Sequence, residues 1–254
     1  AVGYQAGYTG VTAAGVTAIG STALYTNTAG FTTAVGYQAL NANTSGTFND
    51  AFGSSTLQVN TTGGSNSAFG RASLTANTTG ASNVGIGAIS LYSNTTGSFN
   101  SALGNGALFS NTTASYNTAV GYQAGYSNTT GGNGVAVGGL ALTANTTGVS
   151  NTAIGTQALQ ANTIASNNTA VGYQAGYSGT TGDYACFIGQ GAGYAATTGR
   201  GNTFVGSGFA NGSGSAVTTG GKNTILGAYT GNQGGLDIRT ASNYIVLSDG
   251  DGNP

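Results

Sequence analysis

The side chains able to do chemistry are few and unevenly placed. The chain holds no histidine, one cysteine (Cys186), four bases and five acids. Without imidazole there is no Ser-His-Asp triad and no histidine-ligated metal centre. Asp50 is the only acid before Asp183, so that stretch cannot assemble the carboxylate pair that glycoside hydrolysis needs. Asp183, Asp237, Asp249 and Asp251 crowd toward the C-terminus with Arg200, Lys222 and Arg239. Asp249-Gly250-Asp251-Gly252-Asn253 resembles the start of a calcium loop, but no glutamate follows to close it and Asp-Gly turns are common. No glycine-rich string matches the G-x-x-x-x-G-K-[ST] phosphate loop. Asn-Thr-Thr at Asn60, Asn77, Asn94, Asn111, Asn128 and Asn145 matches the glycosylation acceptor, but the repeat accounts for it as turn chemistry. Cys186 reads as a small buried hydrophobe. These residues point away from an enzyme, and we expect no catalytic residue, no cofactor and no bound metal. A net charge of −1 leaves no basic face for nucleic acid, and no apolar stretch is long enough for membrane insertion.

What positions these residues is a repeat. Asn117–Ser127 reads N-T-A-V-G-Y-Q-A-G-Y-S and returns unchanged at Asn168–Ser178, an offset of 51 residues, or three units of 17. Taking the glycine of A-V-G as an anchor, copies fall at Gly3, Gly20, Gly36, Gly53, Gly70, Gly87, Gly104, Gly121, Gly138, Gly155, Gly172, Gly189, Gly206 and Gly227. A degenerate last copy puts Leu247 in that place. The period leaves no room for a helix and its return. It suits one turn of a parallel β-solenoid, with two short strands and two turns. The expected fold is therefore an all-β parallel β-solenoid or β-roll of about 15 coils of 17 residues, stacked about 4.8 Å apart. Residues 1–206 form the regular repeat, and 207–254 read as irregular terminal or transition coils of the same solenoid. The chain begins at Ala1 inside a repeat, which reads as a fragment or processed piece. Val, Ile, Leu and Phe make up only about 18 % of the residues, a level typical of disorder. The low net charge and strict period argue for a folded chain with a thin core.

Each position in the unit has a physical reading. One before the anchor runs a structural core row of β-branched and aromatic residues: Val35, Phe52, Phe69, Ile86, Leu103, Val120, Val137, Ile154 and Val171. Two before the anchor the side chain points the other way, and that row is small: Ala34, Ala51, Ala68, Ala102, Ala119, Ala136, Ala153 and Ala170, with Gly85 among them. Such a row means that another backbone comes close. One reading is a tightly pinched single-chain solenoid. The other is contact between chains about a shared axis, which makes the alanines an inter-chain row and the protein a homotrimer. The row becomes large at Phe187, Phe204, Ile225 and Ile245. Four before the anchor an asparagine ladder is expected through Asn49, Asn66, Asn83, Asn100, Asn117, Asn151 and Asn168. Four after it leucine recurs, and at Gly7-Tyr8, Gly125-Tyr126, Gly176-Tyr177 and Gly193-Tyr194 a glycine and tyrosine replace it. There the ring is expected to take the leucine's volume.

These residues carry a resemblance. N-T-A-V-G-x-x-A resembles the N-S-V-A-I-G-x-x-A repeat of trimeric autotransporter adhesin heads, which are parallel β-rolls of three chains about one axis. The fuller unit N-T-A-V-G-Y-Q-A-L-x-x-N-T-T-G is similar to repeat regions of bacteriophage tail fibres, and Asn243–Pro254 is similar to the junction where such fibres pass into their C-terminal region. The unit here is 17 residues, longer than the adhesin repeat. The resemblance implies a homotrimeric fibre on a virion, or an extracellular or cell-surface shaft, and transfers no catalytic residue.

The leading expectation is thus a structural fibre segment, a phage tail fibre or adhesin shaft that projects or forms a receptor-binding surface. Its partners would be further copies of itself and a host-surface glycan or receptor. Two alternatives stand beside it. Arrayed Thr44, Thr61, Thr78, Thr95, Thr112, Thr129 and Thr146 suggest an ice-binding solenoid. The pairs Tyr37-Gln38, Tyr122-Gln123 and Tyr173-Gln174 suggest a carbohydrate-binding adhesin.

Overall fold

A computed structural model describes residues 1–9, 14–207, 212–249 and 251–254. Among these residues the protein is an all-β parallel β-solenoid of about 13 turns with no helix. Of the anticipated 15 copies, the one at Gly3 adds only an isolated bridge, Val2 to Ile19, and the other 14 each give a strand, which 13 turns join. The chain divides into two units, Ala1–Thr130 and Gly131–Pro254.

The first unit stacks β1 (Val16–Ile19), β2 (Thr32–Val35), β3 (Asp50–Phe52), β4 (Ser67–Phe69), β5 (Val84–Ile86), β6 (Ser101–Leu103) and β7 (Thr118–Val120). Each pairs in parallel with the next, and the register follows the repeat, Ala51 beside Ala68 and Phe52 beside Phe69. The second unit stacks β8 (Val135–Val137), β9 (Thr152–Ile154), β10 (Thr169–Val171), β11 (Cys186–Ile188), β12 (Thr203–Val205) and β13 (Thr224–Leu226). A short antiparallel hairpin, β14 (Asn232–Gln233) and β15 (Leu236–Asp237), then precedes β16 (Ile245–Leu247), which pairs in parallel with β13. The β16 register sets Leu226 beside Leu247. Leu247 therefore stands one before the anchor, and Ser248 takes the glycine's place.

Only one strand of three or four residues forms per coil, not two. The anchor glycine ends it. In the first unit, from Gly20 to Gly121, its φ is 127° to 141°, and from Gly20 to Gly104 a Cβ would strike the carbonyl of the anchor in the next coil. The segment beyond is a turn in which alternate residues are left-handed, for example Gln38 and Leu40 at 56° and 49°. A non-glycine residue there is disfavoured by roughly 1–2 kcal/mol. Full burial of the leucine offsets that by about 2 kcal/mol. The turn also keeps its inter-coil bonds, as Leu40 N–H donates to Thr56 O at 3.0 Å and Leu57 N–H to Ser73 O at 3.0 Å.

The interior is filled by the small row, not by the large one. Ala34, Ala51, Ala68, Ala102, Ala119, Ala136, Ala153 and Ala170 are all buried inside their own coil, so they are not an inter-chain row. The alanines are pinched between the walls of their own coil, as the first of the two readings has it. Conversely, the row assigned to the core points outward: Phe52, Phe69, Ile86, Leu103 and Ile154 are 36–47 % exposed, and Val35, Val120, Val137 and Val171 are half-buried. The reason is the bore of the coil. A strand, a turn with inward Ala39 and Leu40, and an inward asparagine enclose too little space for a β-branched residue as well. Gly85 shows how tight the fit is. A Cβ there would meet Ser73 Oγ, which instead donates to Gly85 O at 3.0 Å.

The same constraint explains the Gly-Tyr copies. The tyrosines do not take the leucine's place: their rings stack outside, Tyr126 on Phe109 at 4.8 Å and Tyr177 on Tyr194 at 5.0 Å between centroids. Gly176 and Gly193 are left-handed, with φ of 62° and 64°, and Phe187 occupies the space a Cβ would need at both. In β11 and β12 the interior thus trades small-plus-leucine for phenylalanine-plus-glycine, at similar total volume. Phe187, Phe204, Ile225 and Val246 are buried there, whereas Ile245 is exposed.

Beside the hairpin, Tyr229 is buried and donates from its hydroxyl to Leu236 O at 2.7 Å. Arg239 donates to both carboxylate oxygens of Asp237, at 3.0 and 2.7 Å, and these bonds hold the Asp237 pKa down to about 2. Its folded value lies below the ordinary 3.8, so the pair's contribution is present above that value and is lost as pH falls through about 2. Amide exchange in β14–β15, corrected for intrinsic rate, is therefore expected to quicken between about pH 4 and about pH 2 at low ionic strength. The difference should shrink in about 1 M salt, because the pair is exposed to solvent.

Candidate interaction surface

Side chains in an extended segment alternate between faces. With the alanine row inward, the residues one and three before each anchor must face out. In the first unit Ile19, Phe52, Phe69, Ile86 and Leu103 form an exposed apolar column, with Val35 and Val120 half-buried in it. The Phe52 and Phe69 rings stack at 4.8 Å. Beside this column runs a row of Thr17, Thr33, Asp50, Ser67, Val84, Ser101 and Thr118, in which Asp50 is the only charge. Exposed aromatics five before the anchor flank the strands: Phe31 stacks on Phe48 at 5.4 Å and Phe99 on Tyr116 at 5.0 Å. The second unit repeats the arrangement with Ile154, Ile188 and Leu226 exposed and Val137, Val171 and Val205 half-buried. Cys186 lies on this outward face, half-buried, rather than in the core.

Beneath the surface run two asparagine ladders. The one four before the anchor holds Asn49, Asn66, Asn83, Asn100 and Asn117 in the first unit, all buried. Each Oδ1 accepts the backbone N–H of the next, at 3.0 Å. In the second unit Asn151 Oδ1 accepts from Asn168 N–H at 3.0 Å, and Asn168 Oδ1 from Ala185 N–H at 2.8 Å. The second ladder, seven after the anchor, was hidden among the apparent glycosylation acceptors. Asn43, Asn60, Asn77, Asn94, Asn111 and Asn128 are buried, and each amide donates to Oδ1 of the asparagine one coil back. An Nδ2 so buried and engaged cannot carry a glycan without opening the coil.

The other singled-out residues do not converge on a site. Thr44, Thr61, Thr78, Thr95 and Thr112 each donate their hydroxyl to the backbone carbonyl of the threonine one coil on, at 2.9–3.1 Å, and Thr146 does so to Thr163 at 3.0 Å. These hydroxyl donors face protein rather than solvent. Tyr37, Tyr122 and Tyr173 are exposed. Gln38 accepts from Gln58 at 2.9 Å, and Gln174 donates to Gln157 at 2.8 Å.

Most of the C-terminal charges are likewise engaged locally. Arg200 pairs with Asp183 at 3.3 Å and lies over the Tyr184 ring at 5.6 Å. Asp249 Oδ1 accepts the N–H of Asp251 at 3.0 Å and of Asn253 at 2.9 Å, and Asp249 Oδ2 accepts from the Asn253 amide at 3.1 Å. These bonds hold the Asp249 carboxyl below the usual carboxylate range, the Asn253 amide contributing most. The carboxylate thus caps its own turn; Gly250 lies outside the described residues. Among the described residues no group of three His, Cys, Asp or Glu side chains comes together. The distinctive surface of the protein is therefore the outward apolar column. Comparison with family models, curated proteins and solved structures finds no match to this chain.

Proposed function

We propose that this chain is a structural fibre segment, of the kind that makes a phage tail fibre or adhesin shaft, and that it works as a homo-oligomer, a trimer, joined along the outward strand row. The observation that carries the reading is the exposed apolar column. Side chains of this size cover about 150–250 Å² whole. At their observed exposure, Ile19, Phe52, Phe69, Ile86 and Leu103 offer roughly 300–500 Å² in the first unit alone. That matches the largest apolar patch on a typical monomer, a patch that is often functional.

The occupant that fits best is another copy. Its row repeats with the same spacing, so side chains can interleave coil for coil, and symmetry gives both partners the same surface. With almost no charge on the face, polar steering of a different partner has nothing to act on. A shaft in this role projects or forms a receptor-binding surface at a virion or cell surface. The test is the double substitution Phe69→Lys/Ile86→Lys. Both positions face outward, so the variant should keep the far-ultraviolet spectrum and melt within a few degrees of the parent under dilute conditions. In chemical cross-linking and gel filtration it should run as a single chain where the parent runs as an oligomer. A variant that assembles like the parent would exclude this row as the interface.

A further inference from the structure

The second asparagine ladder stops within the second unit, and it stops with an unused acceptor. Asn162 donates from Nδ2 to Asn145 Oδ1 at 2.8 Å and to Ala165 O at 3.1 Å. Its side chain is 1 % exposed, and its Oδ1 has no hydrogen-bond partner. One coil on, the place of the next asparagine is taken by Gly179. Beside it is a cavity bordered by Asn162, Gly179, Gly182, Leu159 and Phe187, with about 10 Å³ of room for the centre of a water-sized sphere. That is the least space that holds one water, and too little for a larger guest.

We propose that this cavity binds a single structural water that continues the ladder. Asn43, Asn60, Asn77, Asn94 and Asn111 each make the same two donations. Asn77, for instance, donates to Asn60 Oδ1 one coil back and to Gly80 O three residues on, at 2.8 and 2.9 Å. A water has two donors. Seated where the missing Nδ2 would lie, it donates one to Asn162 Oδ1 and one to Gly182 O, the carbonyl three residues after Gly179. The ladder ends here because the interior changes character. Phe187 begins the run of large buried side chains, and the ladder position continues as Gly179, Ala196 and Val217. Water bridges the last polar rung to that apolar packing.

Substitution at Gly179 separates a wet cavity from a dry one. Its φ is not left-handed, and a Cβ would lie 3.3 Å from Gly176 O and 3.4 Å from Ala196 O, a tight fit that these carbonyls must relax by a few tenths of an ångström to admit; Gly179→Asn carries the same Cβ and so controls for that crowding. On backbone grounds alone Gly179→Ala should raise the melting temperature, and filling a dry void would add to that rise. If water is bound, the methyl displaces it and strands Asn162 Oδ1, and the melting temperature falls by about 2–4 °C. Gly179→Asn supplies its own amide to both acceptors and should melt at or above the parent. A crystal structure resolving ordered water should show one peak about 2.7–3.1 Å from Asn162 Oδ1. Absence of that peak, or a Gly179→Ala variant that melts at or above the parent, overturns the proposal.

Discussion

Ala119→Asp is expected to lower the melting temperature by roughly 10–20 °C, while Val120→Asp, one residue on, lowers it by only about 2–4 °C. Ala119 is fully buried in its own coil. A carboxyl there has no water and no partner, and it also overfills a space sized for one methyl, so the cost is on the order of 4–5 kcal/mol. Val120 is half-buried on the outward face. Its replacement loses some packing against neighbouring coils and leaves the charge in solvent, about 1 kcal/mol. Melting followed by circular dichroism, at a dilution that keeps copies apart, reads the difference. Equal melting temperatures, or the reverse order, would put the large row back inside.

Asn83→Ala is expected to cost about 3 kcal/mol or more, although it deletes only a small polar group. Asn83 Oδ1 accepts the Asn100 N–H at 3.0 Å, and its amide donates to Asn66 Oδ1 at 3.2 Å and to Gly97 O at 2.8 Å. Truncation strands the buried Asn100 N–H, at about 1–3 kcal/mol, and removes two further donations, each worth about 1 kcal/mol, whose acceptors keep another donor: Asn66 Oδ1 the Asn83 N–H and Gly97 O the Asn94 amide. The midpoint of urea unfolding should fall with little change in slope. By contrast, Thr95→Ser keeps its hydroxyl donation to Thr112 O, 3.1 Å in the parent, and should unfold at nearly the parent midpoint. An Asn83→Ala midpoint within error of the parent would mean that water reaches the ladder freely.

The repeat itself made much of this legible. The period of 17 gives the coil, the glycines give the stacked column, and Asn49 to Asn117 give one ladder. The inside and the outside of the strand did not follow from the same letters. Residue type favoured Val, Ile and Phe as the core, and in a wide sheet sandwich they would be. In a coil this narrow the opposite wall is already filled by Leu40, Leu57, Leu74 and their equivalents, so only alanine fits between. Propensity and alternation are symmetric between the two faces; the available volume decides, and volume depends on contacts across the coil. Gly85 carried a usable signal, because a glycine in the alanine row coincides with Ser73 and Ser90, whose hydroxyls meet at 2.9 Å in the interior. The second ladder was obscured for a different reason. Asn-Thr-Thr-Gly is also good turn chemistry, and nothing local shows that its asparagine points inward.

The outward face leads to the measurement that tests the account most directly, the mass of the unsubstituted chain by sedimentation equilibrium. If the apolar column is an interface between copies, the mass at micromolar concentration is a multiple of the 24.5 kDa chain, three-fold for the proposed trimer. A single-chain mass across that range would leave Phe52, Phe69, Ile86 and Leu103 facing water and would contradict it.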